Sequence, residues 1–524
     1  MAASPFDPLL SIVYFRLFVK SEKSGIVINM KPILTIYWAR RDLRLLDNPA
    51  LSAAVASSKE NAVPLLPLFV LEEYMVADNP IHQFGYPQRW FLARALPKFA
   101  ANFTSFALVR GRAAEYIIKL HQKFTLTIFV NDDVYQDFYT QVQKLKKAGV
   151  NVVVCDDTLT VSKETRTGTG NLYSVFTPFK KMVWQQFVTA PSLPVPDLED
   201  VTFANVEELA LESRVLIDEN SISEQFLESR KVQVGAFVFD LDQYLKKPDL
   251  SPWYVSEDEA LTHFKTYCSS GQLDDYAGTR DSLERDASGS GATSKMSLAL
   301  AWGLISPRTL VSTIKKHFDE AFDNPFSLRV SQGALTFISE LIWREFYRYQ
   351  LFHHPELMTT EFQERFRGTI DWVEIDIAKE RFLAWVQGET GYSIVDAAMK
   401  QIAETGWMHN RARMIVASVL TKNLGVDWRW GQEYFRAALI DLDEASNNGG
   451  WQWGASVGAD PKPIRIFNPE LQAKNHDGSG GYQAKWLSGN GLLRPELLPI
   501  VEHKVAREEA LKRYGLSKVK PRDF

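Results

Sequence analysis

Cysteine is nearly absent from this chain. The 524 residues hold two, Cys155 and Cys268, far apart in sequence. A disulfide framework needs pairs and a structural zinc site needs clustered ligands, so neither fits and no metal centre is expected. Such usage suits a reducing compartment, and a cytoplasmic location is expected. Long apolar runs are missing too, so no membrane span is expected. Leu9 to Val19 comes nearest, but it is short, broken by Arg16 and followed by no small-residue cleavage pattern. Residues 1–30 therefore read as a disordered extension ahead of a candidate start at Met30, not as a signal peptide. Charge of one sign is also lacking: the net value is −5. That excludes a wholly basic nucleic-acid binder and leaves room for a local basic groove on an acidic body.

The length calls for two domains or more. Apolar runs at Ile33 to Tyr37, Val63 to Val70, Ala107 to Val109, Thr127 to Val130 and Val152 to Val154 alternate with helical patterns. Alternation of this kind predicts an α/β domain over residues 31–160, a doubly wound parallel sheet with a ligand at the carboxyl ends of its strands. No Gly-x-Gly-x-x-Gly follows the first strand, so a dinucleotide fingerprint is missing there. Residues 161–235 read as a connector, rich in turns, then proline, then acidic residues. From about Ala236 the strand patterns stop, and residues 236–524 read as an all-α domain.

Fourteen tryptophans are present, many of them after residue 340. One stretch concentrates them: Asn447-Asn448-Gly449-Gly450-Trp451-Gln452-Trp453, with Asp441 and Asp443 just before it. Amides that hydrogen-bond in a plane, glycines that admit close approach and flat indoles suit a planar heteroaromatic cofactor. The alternative is a Gly turn between two buried tryptophans. Glu340, Trp343, Arg344 and Tyr347 fall at i, i+3, i+4 and i+7, one face of a helix. Trp407, Asn410, Arg411 and Met414 have the same spacing. Two such faces would line a polar cavity of nucleobase width, where an extruded base could be stacked and read. Thr293-Ser294-Lys295-Met296-Ser297 offers hydroxyls and free amides at a helix start, a phosphate site or ordinary capping. Tyr276 and Arg280 add an aromatic and a cation upstream.

Together these motifs resemble the photolyase/cryptochrome family of blue-light flavoproteins, from Ile33 to about Trp486. Trp38 to Arg44 with Asp47 to Leu51 looks like the family's opening, and Tyr173 to Phe179 like its mid-chain block. The Glu340 and Trp407 segments, Asn447 to Trp453 and Arg465 to Pro469 are similar to its signature segments. The Asn447 block is closest to the class I cyclobutane pyrimidine dimer photolyases. Plant cryptochromes carry Asp at that position, and (6-4) photolyases carry histidines where this chain has Asn410 and Met414. No long C-terminal tail follows.

The resemblance implies light-driven repair of cyclobutane pyrimidine dimers in UV-damaged DNA, a carbon–carbon lyase reaction run by electron transfer from reduced FAD to a flipped-out dimer. It implies an FAD site of Tyr276, Thr293, Ser294, Lys295, Met296, Ser297, Trp343, Asn410, Arg413, Asp441, Asp443 and Asn447, with an Arg413–Asp441 pair flanking the ring. Glu340, Asn447, Trp343 and Met414 would carry the catalytic roles. Arg280, Lys295, Glu340, Asn410, Arg411, Trp453 and Arg465 would meet the DNA. Trp451 and Trp428 match the first two members of an electron-transfer chain; Ile375 stands at the usual spacing of the third, so Trp372, three residues earlier, would serve, with Trp430 as another nearby donor. A second antenna chromophore is left open as a deazaflavin, a folate held differently, or none: folate-binding members carry His where Leu46 stands and a Glu at a position near Gly111, and neither is matched. Pro463-Ile464 is one residue short of the common pattern, which predicts a small loop change. The protein is expected to be a monomer. A cryptochrome-like photoreceptor or a flavin reductase using the same pocket are the alternatives, since fold does not fix function.

Overall fold

The computed structural model describes residues 31–76, 84–207, 209, 231–234, 236–289, 291–318, 330–459, 464–488 and 498–516. The N-terminal extension, the acidic part of the connector at 210–230 and Pro463 lie outside the described residues. Five strands form one parallel sheet: β1 (Ile33–Ala39), β2 (Leu65–Leu71), β3 (Ala107–Arg110), β4 (Thr125–Asn131) and β5 (Asn151–Cys155). Their order is β3-β2-β1-β4-β5. β2 is buried along its whole length, and β1 from Leu34 onward. Strands covered on both faces have no polar alternation, so they read as unbroken apolar runs. Asn48 caps the first covering helix, Pro49–Asn61, its side chain accepting from Leu51 N at 3.1 Å. Pro49 at the first helical position gives up no needed donor.

The strand order reverses between β1 and β4, where the carboxyl ends part and leave a crevice. The helical half of the chain packs into this crevice. Arg41 donates to the Leu442 carbonyl at 3.1 Å. Arg44 donates to the Gly303 carbonyl at 3.2 Å and to both oxygens of Asp157 at 2.7 and 2.8 Å. Gly303 has φ +63°, and a Cβ there would lie 2.1 Å from the Arg41 carbonyl. The space left between these described groups is about 40 Å³. One apolar core therefore runs across both halves, from Leu51, Phe69 and Phe91 to Trp302, Phe337 and Phe346.

Strands do not stop at Ala236. β6 (Lys231–Val234) and β7 (Phe237–Asp240) form an antiparallel hairpin. Its strands are four residues long, too short for alternation to stand out. Phe239 anchors it against Phe382 and Trp430, with ring centroids 5.3 and 6.3 Å apart. Beyond it the described residues are helical, as expected. Among the described residues no helix is long and apolar enough to cross a membrane.

Candidate active site

The helix Gln332–His353 starts at a Ser331 cap, whose side chain accepts from Ala334 N at 3.1 Å. Its Glu340, Trp343, Arg344 and Tyr347 share a face, as the spacing predicts, and all four line a cavity of about 460 Å³. That volume lies within the ~300–1,000 Å³ typical of small-molecule pockets. Phe176 stacks on Trp343 at 3.6 Å and 8°, covering one side of the indole. Glu340 is ion-paired with Arg280.

The second face forms differently from the expectation. The helix begins at Asn410, with His409 as its cap, so Trp407 lies in the loop before it. Trp407, Asn410 and Met414 still line the cavity, but Arg411 does not. Arg411 pairs with Asp281 at 2.8 Å. Arg413 takes the cavity position instead and grips both oxygens of Asp441 at 3.0 and 2.8 Å.

The Asn447 stretch is no turn. It forms the helix Glu444–Gly454, capped by Asp443, which accepts from Ser446 N at 2.9 Å. The neighbouring amides and glycines divide the work. Asn448 turns to the Leu357 carbonyl and to Gln432, at 2.8 and 2.7 Å. Asn447 donates from Nδ2 to the Gln432 carbonyl at 3.1 Å, which leaves its buried Oδ1 with no partner. A Cβ on Gly449 would lie 2.1 Å from the Tyr347 ring, whereas Gly450 meets nothing within 4 Å and lines the cavity. Trp451 packs against Trp385 at 6.0 Å, and Trp453 lies under the Arg465 guanidinium at 5.2 Å.

Thr293 to Ser297 form another wall. The helix they open, Ser297–Trp302, has only six residues, so hydroxyls and loop amides matter more here than a helix dipole. Lys295 has φ +54°, an unfavourable conformation for a side chain. Two hydrogen bonds hold it: Tyr254 OH donates to the Lys295 carbonyl at 2.8 Å, and His263 Nε2 meets the Ser294 carbonyl at 3.0 Å. Burial pushes the Asp443 carboxyl up, but Arg348 and Arg344 outweigh it and hold the group well below the usual carboxylate range. Burial and the like charge of Arg348 lower Arg344 to about 10.

Three residues lining this cavity carry buried polar atoms without a hydrogen bond: Asn447, Arg344 and Trp451. Asn447 Oδ1 accepts nothing, Trp451 Nε1 donates to nothing, and Arg344 Nε and Nη1 make no hydrogen bond, their charge met only at 3.9 Å by Asp443 and 3.7 Å by Glu345. Buried polar groups are normally paired, so a ligand with a ring N–H and anionic or carbonyl oxygens fits this wall. A flavin nucleotide has both.

Known proteins agree with that chemistry. Residues 337–495 match the family described as FAD binding domain of DNA photolyase, and residues 35–197 the family described as DNA photolyase. The deoxyribodipyrimidine photo-lyase of Synechococcus sp. is 35% identical over 470 residues, 87% of each chain. The chain belongs to the photolyase/cryptochrome family. The deoxyribodipyrimidine photo-lyase of Vibrio cholerae is 32% identical, over 93% of this chain and 100% of its own. A bacterial class III photolyase from Agrobacterium tumefaciens superposes with a TM-score of 0.75 at 30% identity, over 94% of this chain and 100% of that one. A Synechocystis cryptochrome shares the fold, with a TM-score of 0.71 at 24% identity. FAD is thus the cofactor of this photolyase-family chain.

Every residue expected to bind FAD lines the cavity, as do Glu340, Arg280, Met414, Trp451 and Trp453. Arg411, Arg465, Trp428 and Trp372 do not. Arg465 reaches it through Trp453. Trp428 is fully buried, and its Nε1 donates to Glu361 Oε1 at 3.3 Å. Trp372 is partly buried 6.1 Å from the Tyr514 ring, and its neighbour Val373 donates from its backbone N–H to the Gly425 carbonyl at 3.0 Å. Sequence reasoning placed Arg344 on the cavity face yet left it out of the site; its spacing with Glu340 was the available signal. Phe337 and Phe435 also line the wall and were missed, since a phenylalanine gives no chemical cue.

Proposed function

We propose that this protein repairs cyclobutane pyrimidine dimers in DNA with light, as a DNA-associated cytoplasmic monomer. The observation that carries the reading is the convergence of Glu340, Trp343, Asn410, Met414, Asn447 and Trp453 on the one cavity. When bound and reduced, FAD supplies the electron that opens the dimer and takes it back, so the repair is redox-neutral overall. Asn447 would accept a hydrogen bond from bound FAD, and the Arg413–Asp441 pair would help hold its ring. Thr293 to Ser297, with Tyr276 and Arg344, hold the phosphates. Trp343 and Trp453 wall the place of a flipped-out dimer, and Met414 and Asn410 fill its edge. Glu340, reoriented from Arg280, hydrogen-bonds the dimer. Arg280, Lys295, Arg411 and Arg465 at the rim meet DNA phosphates. Trp451, Trp428 and Trp372 would form the path along which electrons reach the bound cofactor. In this reading residues 31–160 and 236–524 form the two domains, joined by 161–235.

Purified, reduced protein is given a thymine-dimer oligonucleotide in blue light and in the dark. Dimers disappear only in the light. Equal dimer content in both arms, with FAD bound, refutes the proposal.

A further inference from the structure

The indole of Trp428 sits among charges that the repair reaction does not use. Its Nε1 donates to Glu361 Oε1 at 3.3 Å. Glu361 is 3% exposed. The Arg429 guanidinium lies 4.8 Å from the centroid of the same indole. Arg429 in turn pairs with Glu361 at 2.8 Å and with Asp427 at 2.9 Å. One cation and two carboxylates therefore surround a ring that exposes no surface to water.

The Glu361 segment is also tied to the neighbouring indole. Gln452, next to Trp451, accepts from Phe362 N at 2.8 Å and donates to the Thr360 carbonyl at 3.1 Å. Gln363 N donates to the Val457 carbonyl at 2.9 Å, just past the Trp451 helix. Gly431, one turn beyond Trp428, has the Trp451 ring against it, so that a Cβ would lie 2.0 Å away. The segment thus carries a carboxylate to the second indole and is braced by the residue following the first.

A ring that loses an electron becomes a cation, and nearby charge decides how readily. Arg429 alone makes that loss harder. A carboxylate on the indole N–H makes it easier, and the effect is strong where water is excluded. We propose that Glu361 is an electrostatic positioning residue for electron transfer: its carboxylate stabilises the oxidised Trp428 indole and so draws the hole from Trp451 outward. In this step Trp428 gives one electron to the oxidised Trp451 indole; no bond forms or breaks, and the N–H proton stays on Trp428, hydrogen-bonded to Glu361. The last indole of the chain is refilled at the surface by a soluble thiol, two thiols yielding one disulfide, two protons and two electrons. The inference rests on the tryptophan chain of the proposed function.

The test compares wild type, Glu361→Gln, Arg429→Gln and Trp428→Phe, each as FAD-loaded protein with a thiol in blue light. Flavin bleaching gives the photoreduction rate, and transient absorption gives the yield and lifetime of the indole radical. A hydrogen bond to a charged group is worth ~1.5–3 kcal/mol, so Glu361→Gln slows photoreduction about tenfold or more and shortens the radical lifetime. Arg429→Gln removes the opposing cation and leaves both measures equal to wild type or higher. Wild-type rates in Glu361→Gln overturn the inference. So does a fall in both Glu361→Gln and Arg429→Gln, because the cluster then serves structure alone. Normal photoreduction in Trp428→Phe defeats the tryptophan-chain reading instead, and with it the premise.

Discussion

Asn447 carries the sharpest consequence of any single side chain. Its Nδ2 is committed to the Gln432 carbonyl, so the amide cannot flip to hide its oxygen. Oδ1 is left facing a need that only a donor from the cavity can meet. Asn447→Ala removes this acceptor, and a neutral hydrogen bond is worth about 1 kcal/mol. FAD should therefore dissociate about fivefold more readily, a change that titration of the apoprotein with FAD will measure; unchanged affinity would remove Asn447 from the flavin site. The sequence already marked this amide, but not which of its two atoms was free. Residue type alone does not tell Asn447 from Asn448, and only the resemblance singled out Asn447; in the structure Asn448 spends its Nδ2 on Leu357 and Gln432. Helical rotation of about 100° per residue separates the two, and only the packed helix shows which way each one points.

At the level of elements, the Asn410 helix depends on its cap. His409 is fully buried, and its Nδ1 accepts from Arg411 N at 3.1 Å while Nε2 has no partner. Burial lowers its pKa to about 4; Arg411 and Arg413 act in the same direction, against Asp286 and Asp281. In the unfolded chain the ring titrates near ~6.5. Between these values the unfolded state binds the extra proton, so stability falls as pH drops from about 6.5 to about 4, by up to about 3 kcal/mol. Urea midpoints across that window should show the slope, and His409→Gln should flatten it. A slope equal in both proteins would assign the acid sensitivity elsewhere. The helix start at Asn410 also explains where periodicity failed. The i, i+3, i+4, i+7 pattern counted Trp407 as helical, but a cap formed by a histidine carries none of the usual Ser, Thr, Asp or Asn signal. The Gln332–His353 helix, opened by Ser331, kept its predicted face.

Across the whole molecule, the docking of the helical half onto the sheet decides what the sheet can do. Gly303 packs against the backbone of Arg41 and Asp42. An alanine there must accept both a left-handed φ and a methyl 2.1 Å from the Arg41 carbonyl. Gly303→Ala should cost ~1–3 kcal/mol, as overpacked sites do, and loosen the contact between the halves. Faster limited proteolysis together with a lower thermal midpoint is the expected result; wild-type behaviour in both would show that the crevice is not held there. The parallel sheet, the helical second half and most cavity residues were legible in the sequence. Apolar runs and helical spacing report local burial, and chemically distinctive residues recur at fixed places in the family. Three things were not legible. The crevice at the β1–β4 reversal is packed by the helical half, because Arg41 and Arg44 meet Leu442 and Gly303 only after hundreds of intervening residues fold. Arg411 turns away from the cavity to Asp281, because that choice depends on an acid distant in sequence, whereas the Arg413–Asp441 pair was expected. Glu361 meets Trp428 through a segment with no motif of its own. Local patterns determine which elements form and which residue types they carry; contacts between distant segments determine which atoms are left unpaired, and it is those atoms that a ligand or a travelling electron meets.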